Sequence, residues 1–272
     1  MVTILDTIIA AKRVEVATRQ KQLSISALRE FPAYARATQS LQAALQQSTH
    51  HGIIAEFKRK SPSQSNINLH ADSLAISEGY AQAGAAAMSV LTDQDFFGAR
   101  PEDIHTVRSN VDLPIIRKDF LVDPYQVHEA KAMGADAILL IAACLEGNEI
   151  QELVGTAQEL GLEVLCEIHA ENELEKLAPS IDVVGVNNRN LKDFSVSIEQ
   201  SVRIGALIPP SFTKISESGI EDPASIIRLK KEGFEGFLIG TYFMRQPDPG
   251  AACMDFIQRV HAIDDIPKEA TT

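Results

Sequence analysis

From residue 53 onward, short apolar runs alternate with amphipathic stretches. Runs at 53–57, 86–91, 113–117, 137–141, 163–168, 183–186, 213–216 and 236–239 have strand length and strand composition, and they predict eight strands. They recur every 20 to 35 residues or so, which leaves room for one helix between each pair. Gly84, Gly134, Gly161 and Gly233 fall where helices should stop, each a few residues before a strand. Asp123-Pro124, Asp222-Pro223 and Asp248-Pro249 stand where helices should start, since aspartate caps free amides and proline fits the first turn. Strands that are apolar on both faces and separated by helices predict a parallel sheet covered on its outer face. Closing eight of them gives a single (β/α)8 TIM barrel. An open doubly wound sheet competes, but no Gly-x-Gly-x-x-Gly turn follows the first strand.

Residues 1–50 follow a different pattern. Ile4, Leu5, Ile8 and Ile9 recur at helical spacing, with Lys12, Arg13, Glu15 and Arg19 beyond them. Leu23, Ile25 and Leu28 begin a second helical piece, Pro32 interrupts, and Leu41, Ala44 and Leu45 resume the pattern. This predicts an N-terminal helical extension that lays an apolar face on a catalytic barrel of residues 51–265, with 266–272 as a loose tail. Of the 272 residues 45% are hydrophobic, enough for a large core. The net charge of −12 argues against a nucleic-acid surface and requires any anion to be bound locally. Cys144, Cys166 and Cys253 are too scattered for a disulfide framework or zinc site and read as reduced thiols in a cytoplasmic protein. No secretory signal or membrane-length apolar run is expected.

The chemistry is concentrated at the predicted C-terminal strand ends, where barrel enzymes place their catalytic groups. Glu56 and Lys58 are two residues apart, so a strand aims both to one side. An edge strand with solvated charges would look the same, but the design recurs. Lys118 closes the third strand, Glu167 and His169 the fifth, Asn187 the sixth and Glu217 the seventh. Three carboxylates and two ammonium groups at one mouth would shift one another's pKa values. Ser218-Gly219 and Gly240-Thr241 follow strands seven and eight, where barrels bind phosphate through loop amides. Phe96, Phe97 and Phe120 are either core or an aromatic-binding wall. Asp119 reads as a loop residue, His169 as a strand cap, and His105, His128 and His261 as solvated helix positions. Cys166 alternates with Glu167 and should be buried against the helices. His50 and His51 have no partner in sequence, so no metal is expected there.

These segments resemble the indole-3-glycerol-phosphate synthase family nearly end to end. The resemblance rests on I-A-E-F-K-R-K-S-P-S from Ile54, S-V-L-T-D from Ser89, R-K-D-F from Arg117 and D-P-Y-Q-V from Asp123. It continues in E-I-H from Glu167, N-N-R-N-L from Asn187, S-E-S-G-I from Ser216 and the Ile239-Gly240 turn. It implies ring closure, decarboxylation and dehydration of 1-(2-carboxyphenylamino)-1-deoxyribulose 5-phosphate, with no metal or organic cofactor. It implies a monomer acting on a small phosphorylated molecule, with no nucleic-acid or membrane partner. By the resemblance, Lys118 is the general acid of ring closure and Glu167 is its proton-transfer partner; a second cation nearby, Lys58, is expected to lower the Lys118 pKa. Lys58 contacts phosphate and serves dehydration, paired with Glu56; Asn187, Glu217 and Ser218 position intermediates. Arg189 and Leu191 bind substrate; Ser61, Gly219, Ile239, Gly240 and Thr241 form the phosphate end; Pro62, Phe97 and Phe120 wall the aromatic ring. Two departures stand out: Gln64-Ser65 where the family commonly has Lys-Gly, and a bulky Thr241-Tyr242-Phe243 turn. A Schiff-base aldolase using Lys118 as nucleophile, or an inactive barrel kept for binding, are the alternatives.

Overall fold

The computed structural model describes residues 3–47, 51–190 and 194–265. Three helices precede the barrel: α1 (Ile4–Gln22), α2 (Ile25–Leu28) and α3 (Leu41–Gln46), with a 3-10 turn at Pro32–Ala35. The strands are β1 (Ile53–Phe57), β2 (Ala87–Leu91), β3 (Ile115–Lys118), β4 (Ala137–Ile141), β5 (Glu163–Ile168), β6 (Val183–Asn187), β7 (Thr213–Glu217) and β8 (Gly236–Ile239). All pair in parallel with their sequence neighbours, and β8 returns to β1 with Leu238 opposite Ile54, closing the barrel. Helices α4 (Ser73–Gln82), α5 (Asp103–Asn110), α6 (Pro124–Met133), α7 (Gly147–Glu159), α8 (Glu199–Gly205) and α9 (Pro223–Lys231) fill the crossovers. After β8 come the short α10 (Thr241–Met244) and α11 (Pro249–Asp264). Between β5 and β6 the expected helix is replaced by a 3-10 stretch, Glu171–Lys176, because the connection is short. The four helix-stop glycines all take positive φ, and Asp123, Asp222 and Asp248 cap α6, α9 and α11 with proline in the first turn.

Strand periodicity places the chemistry. Ile54, Ile116, Leu165 and Ile215 point into the barrel, where they pack with Ala87, Ala137, Leu139, Val183 and Leu238. Two residues further along the same strands, and hence on the same face, stand Glu56, Lys118, Glu167 and Glu217. The outward set, including Ala55, Val90, Leu140 and Cys166, packs beneath the helices. Strands β3, β6 and β7 each run one residue past their expected ends. Lys118 pairs with Leu91 and Glu217 with Asn187, so these functional positions belong to the ladder itself.

The extension serves both ends of the barrel. Leu41 and Leu45 of α3 join the interior cluster and close its N-terminal end. The Gln42 amide donates to Glu163 Oε2 at 2.8 Å, and the Gln42 and Gln46 side chains donate to Thr213 Oγ1 at 3.1 and 3.2 Å. Arg36 pairs with buried Asp136 at 2.5 Å, just before β4. At the other end, α1 reaches the mouth with Ile4, Leu5 and Ile8. An apolar face laid on the outside is thus only part of its role. Two histidines expected in solvent are also partnered. His128 Nδ1 lies 2.6 Å from the Tyr34 hydroxyl, and His261 Nδ1 lies 2.7 Å from Nε2 of buried His51, because the extension and α11 fold back over them.

Leu41 is fully buried in the interior cluster. Leu41→Ala is expected to destabilise the whole barrel by about 2–5 kcal/mol, as for other buried leucine truncations. A shift in chemical-denaturation midpoint corresponding to less than about 1 kcal/mol would mean that α3 is not part of the core.

Candidate active site

The C-terminal mouth opens into a cavity of about 660 Å³ that collects residues from all eight strand ends or their loops, and from α1. Glu56, Lys58, Lys118, Glu167, Asn187 and Glu217 all line it. Ser61, Ser218, Gly219, Ile239, Gly240 and Thr241 line it too, as do Pro62, Phe97, Phe120 and Arg189. Leu191 lies outside the described residues.

At the centre, Lys118 Nζ donates to Glu167 Oε2 at 2.9 Å and to Glu217 Oε2 at 3.0 Å. Burial disfavours the ammonium, but the Glu167, Glu217 and Glu56 carboxylates outweigh it and raise the Lys118 pKa. The expectation of a lowered lysine pKa is therefore corrected. Lys58 does not face Lys118 as a free cation; it is tied to Glu56 in an ion pair of its own. Burial also opposes ionisation of Glu167, yet Lys118, His169 and a hydrogen bond from Asn187 hold its pKa below the usual carboxylate range. Glu217 goes the other way. Burial and the nearby Glu167 charge push it up to about 8 against the pull of Lys118. One ammonium group balances one carboxylate, so the second keeps its proton near neutral pH.

Local backbone makes this cluster possible. Gly185 on β6 sits opposite Glu167, and a Cβ there would lie 2.0 Å from Glu217 Oε1. Gly240 gives Glu56 the same freedom, because a Cβ would meet Glu56 Oε2 at 2.2 Å. Ser218 adopts a left-handed conformation with φ 69°, at a cost on the order of 1–3 kcal/mol. Buried Asn188 holds that turn, donating to Ser218 O at 3.0 Å and Ser216 Oγ at 2.9 Å. The bulky turn after Gly240 is accommodated by turning Phe243 into the core, where it packs with Tyr80 and Phe256. Gln64 closes a tight turn on Ser61 through paired backbone bonds of 2.8 and 3.0 Å.

Several lining groups escaped the sequence reading. His169 is more than a strand cap: it lines the cavity, with Nε2 3.2 Å from Glu167 Oε1. Asp119 is not a simple loop residue. It is buried, accepts from Thr92 Oγ1 at 2.7 Å and pairs with Arg117 and Lys12 at 3.2 and 3.0 Å. Ile4, Leu5 and Ile8 come from a segment far away in sequence. The signal for Lys12 was there: it falls between Ile8 and Val16 on the buried stripe of α1.

A family model described as "Indole-3-glycerol phosphate synthase" matches residues 5–256. A protein of that name from Bacteroides thetaiotaomicron is 48% identical over 260 residues, covering 96% of this chain and all of the relative. One from Acinetobacter baumannii is 43% identical, over 92% of this chain and 94% of the relative. One from Verminephrobacter eiseniae is 42% identical, over 92% and 97%. Among solved structures, a chain of the tryptophan synthase α2β2 complex from Pyrococcus furiosus superimposes with a TM-score of 0.57 at 14% identity, over 78% of this chain and 98% of that one. At that identity the likeness speaks to the barrel alone. With a family match across nearly the whole chain, and relatives above 40% identity spanning almost their full length, the chain belongs to the indole-3-glycerol phosphate synthase family.

Proposed function

We propose that the mouth converts 1-(2-carboxyphenylamino)-1-deoxyribulose 5-phosphate to indole-3-glycerol phosphate, and that Lys118 is its principal acid. The observation that carries this reading is the Lys118 ammonium held between Glu167 and Glu217 in a cavity that Phe97, Phe120 and two glycine turns also line. The carboxyphenyl ring lies against Phe97, Phe120 and Pro62. The phosphate lies at the amides of Ser218-Gly219 and Gly240-Thr241 with Ser61 and Lys58, which supply positive charge that the acidic protein otherwise lacks.

The reaction needs acids at two points. As the carboxylate-bearing ring carbon attacks the ketone, negative charge grows on the ketone oxygen, and Lys118 donates a proton there. Loss of carbon dioxide restores the aromatic ring. The hydroxyl then leaves as water, with Lys58 giving the second proton, and a ring proton is lost to Glu56. Two protons are given and one is taken back, so each turnover consumes one. Glu167, bonded to Lys118, is placed to relay a proton back to it. Asn187, Glu217 and Ser218 position the intermediates, and Arg189 and Leu191 bind the substrate. The family's chemistry needs no metal or organic cofactor. The chain is read as a cytoplasmic monomer with no nucleic-acid or membrane partner.

A Schiff-base aldolase would need Lys118 as a neutral amine. Two carboxylates on a lysine whose pKa is already raised favour the cation and hence the acid role.

Adding the ring-closure substrate should produce indole fluorescence. Lys118→Ala should abolish that signal while still binding substrate, and borohydride trapping should leave the parent mass unchanged. A reduced adduct on Lys118 would replace this mechanism with the aldolase one.

The Glu217 proton sets a pH limb. Below about pH 8 Glu217 is neutral; above it a second negative charge appears beside Glu167, facing an anionic substrate. Activity (kcat/KM) should therefore fall as pH rises through that region. Glu217→Gln, which mimics the protonated acid, should flatten the descent. An unchanged alkaline limb in the variant would assign it to another group.

A further inference from the structure

Lys12 is a lysine in a core position. It lies between Ile8 and Val16 on the buried stripe of α1, and only 1% of it is exposed. Its ammonium meets Glu15 Oε2 at 2.7 Å, Asp93 Oδ2 at 2.8 Å and Asp119 Oδ1 at 3.0 Å. Both aspartates are themselves buried. Burial disfavours the cation, but Asp119 and Asp93 outweigh it, so the cluster stays charged. A well-packed apolar side chain would hold α1 down as well as a buried ion cluster does. Docking alone therefore does not account for these groups.

Their remaining bonds are more specific. Asp93 Oδ1 accepts from the Phe96 amide at 2.7 Å and the Phe97 amide at 3.3 Å. Asp119 Oδ1 accepts from the Phe120 amide at 2.8 Å. Each aspartate thus ties Lys12 to the backbone of one wall phenylalanine. The Phe97 and Phe120 rings lie 5.9 Å apart, inclined at 44°. The Lys60 amide donates to Phe97 O at 3.3 Å, carrying the tie onto the loop of Ser61 and Pro62. Ile4, Leu5 and Ile8, one to two turns before Lys12 on the same helix, line the same cavity.

We propose that Lys12, with Asp93 and Asp119, positions the aromatic end of the substrate by fixing the Phe97 loop, the Phe120 loop and α1 relative to one another. The inference rests on the proposed reading that this wall receives the carboxyphenyl ring. Lys12 touches no substrate atom, because its ammonium is enclosed by three carboxylates and does not line the cavity. Its effect is the width and tilt of the slot, and attack by the ring on the ketone is sensitive to such placement.

Two probes report on the two ends of the pocket separately: 2-aminobenzoate for the aromatic end and inorganic phosphate for the other. The full-length Lys12→Met/Asp93→Asn variant removes one positive and one negative charge, leaves Asp119 paired with Arg117, and keeps an acceptor for the Phe96 amide. It should weaken 2-aminobenzoate binding about tenfold, leave phosphate binding within about twofold, and raise KM more than it lowers kcat. Asp93→Asn alone, which retains the Lys12–Asp119 pair, should show the same selective loss at about threefold. Unchanged 2-aminobenzoate affinity in both variants, or equal weakening of both probes, would overturn the proposal. A parent protein that binds both probes yet forms no indole product would defeat the proposed reaction and leave the positioning role standing.

Discussion

A partly buried ammonium between two buried carboxylates is stable only where all three are held in register, because each loses water that the others must largely replace. Here Lys118, Glu167 and Glu217 are terminal or near-terminal residues of β3, β5 and β7. None is adjacent in the sheet to another, so the cluster exists only once the barrel has closed and their interior faces converge. The apolar layer beneath, with Ile116, Leu165 and Ile215 each two residues earlier, sets the direction of the three side chains. The missing side chain at Gly185 provides the space for Glu217. Core packing and catalytic geometry are therefore one arrangement read at two depths along the same strands.

The charge count follows from that convergence. One cation shared by two acids leaves a surplus carboxyl, and burial makes ionising both unfavourable. The site holds a fixed cation, a fixed anion and a proton that can be lost near neutral pH. A sequence with the same residues on an open sheet would place them too far apart to interact in this way.

Much of this was legible in the chain itself. The apolar runs, stop glycines and Asp-Pro caps are local signals, and each reports on an element whose bonds are mostly local. The same-face spacing of Glu56 with Lys58 located the mouth. Relations between distant segments were harder to read. The Lys118 pKa moves up rather than down because Glu167 and Glu217, from two other strands, pair with it directly, while Glu56 engages Lys58. Asp119 looked like a loop residue because one of its ion partners, Lys12, lies more than a hundred positions earlier. His128 and His261 looked solvated because Tyr34 and His51 cover them only after folding. Strand ends were one residue short where the last ladder pair, such as Asn187 with Glu217, is polar and reads as loop.

The extension has a consequence for the order of assembly. It is made before every strand of the barrel, yet almost nothing it binds is nearby. Arg36 waits for Asp136, Gln42 for Glu163 and Thr213, and Lys12 for Asp93 and Asp119. In a nascent chain leaving the ribosome Lys12 therefore waits for β3, Arg36 for the start of β4 and α3 for β7, and the interior that receives Leu41 and Leu45 is complete only with β8. Contacts of such sequence separation form late and slowly. A segment made ahead of the barrel is thus among the last to settle, and the active-site mouth is finished by residues that were synthesised before any of its strands.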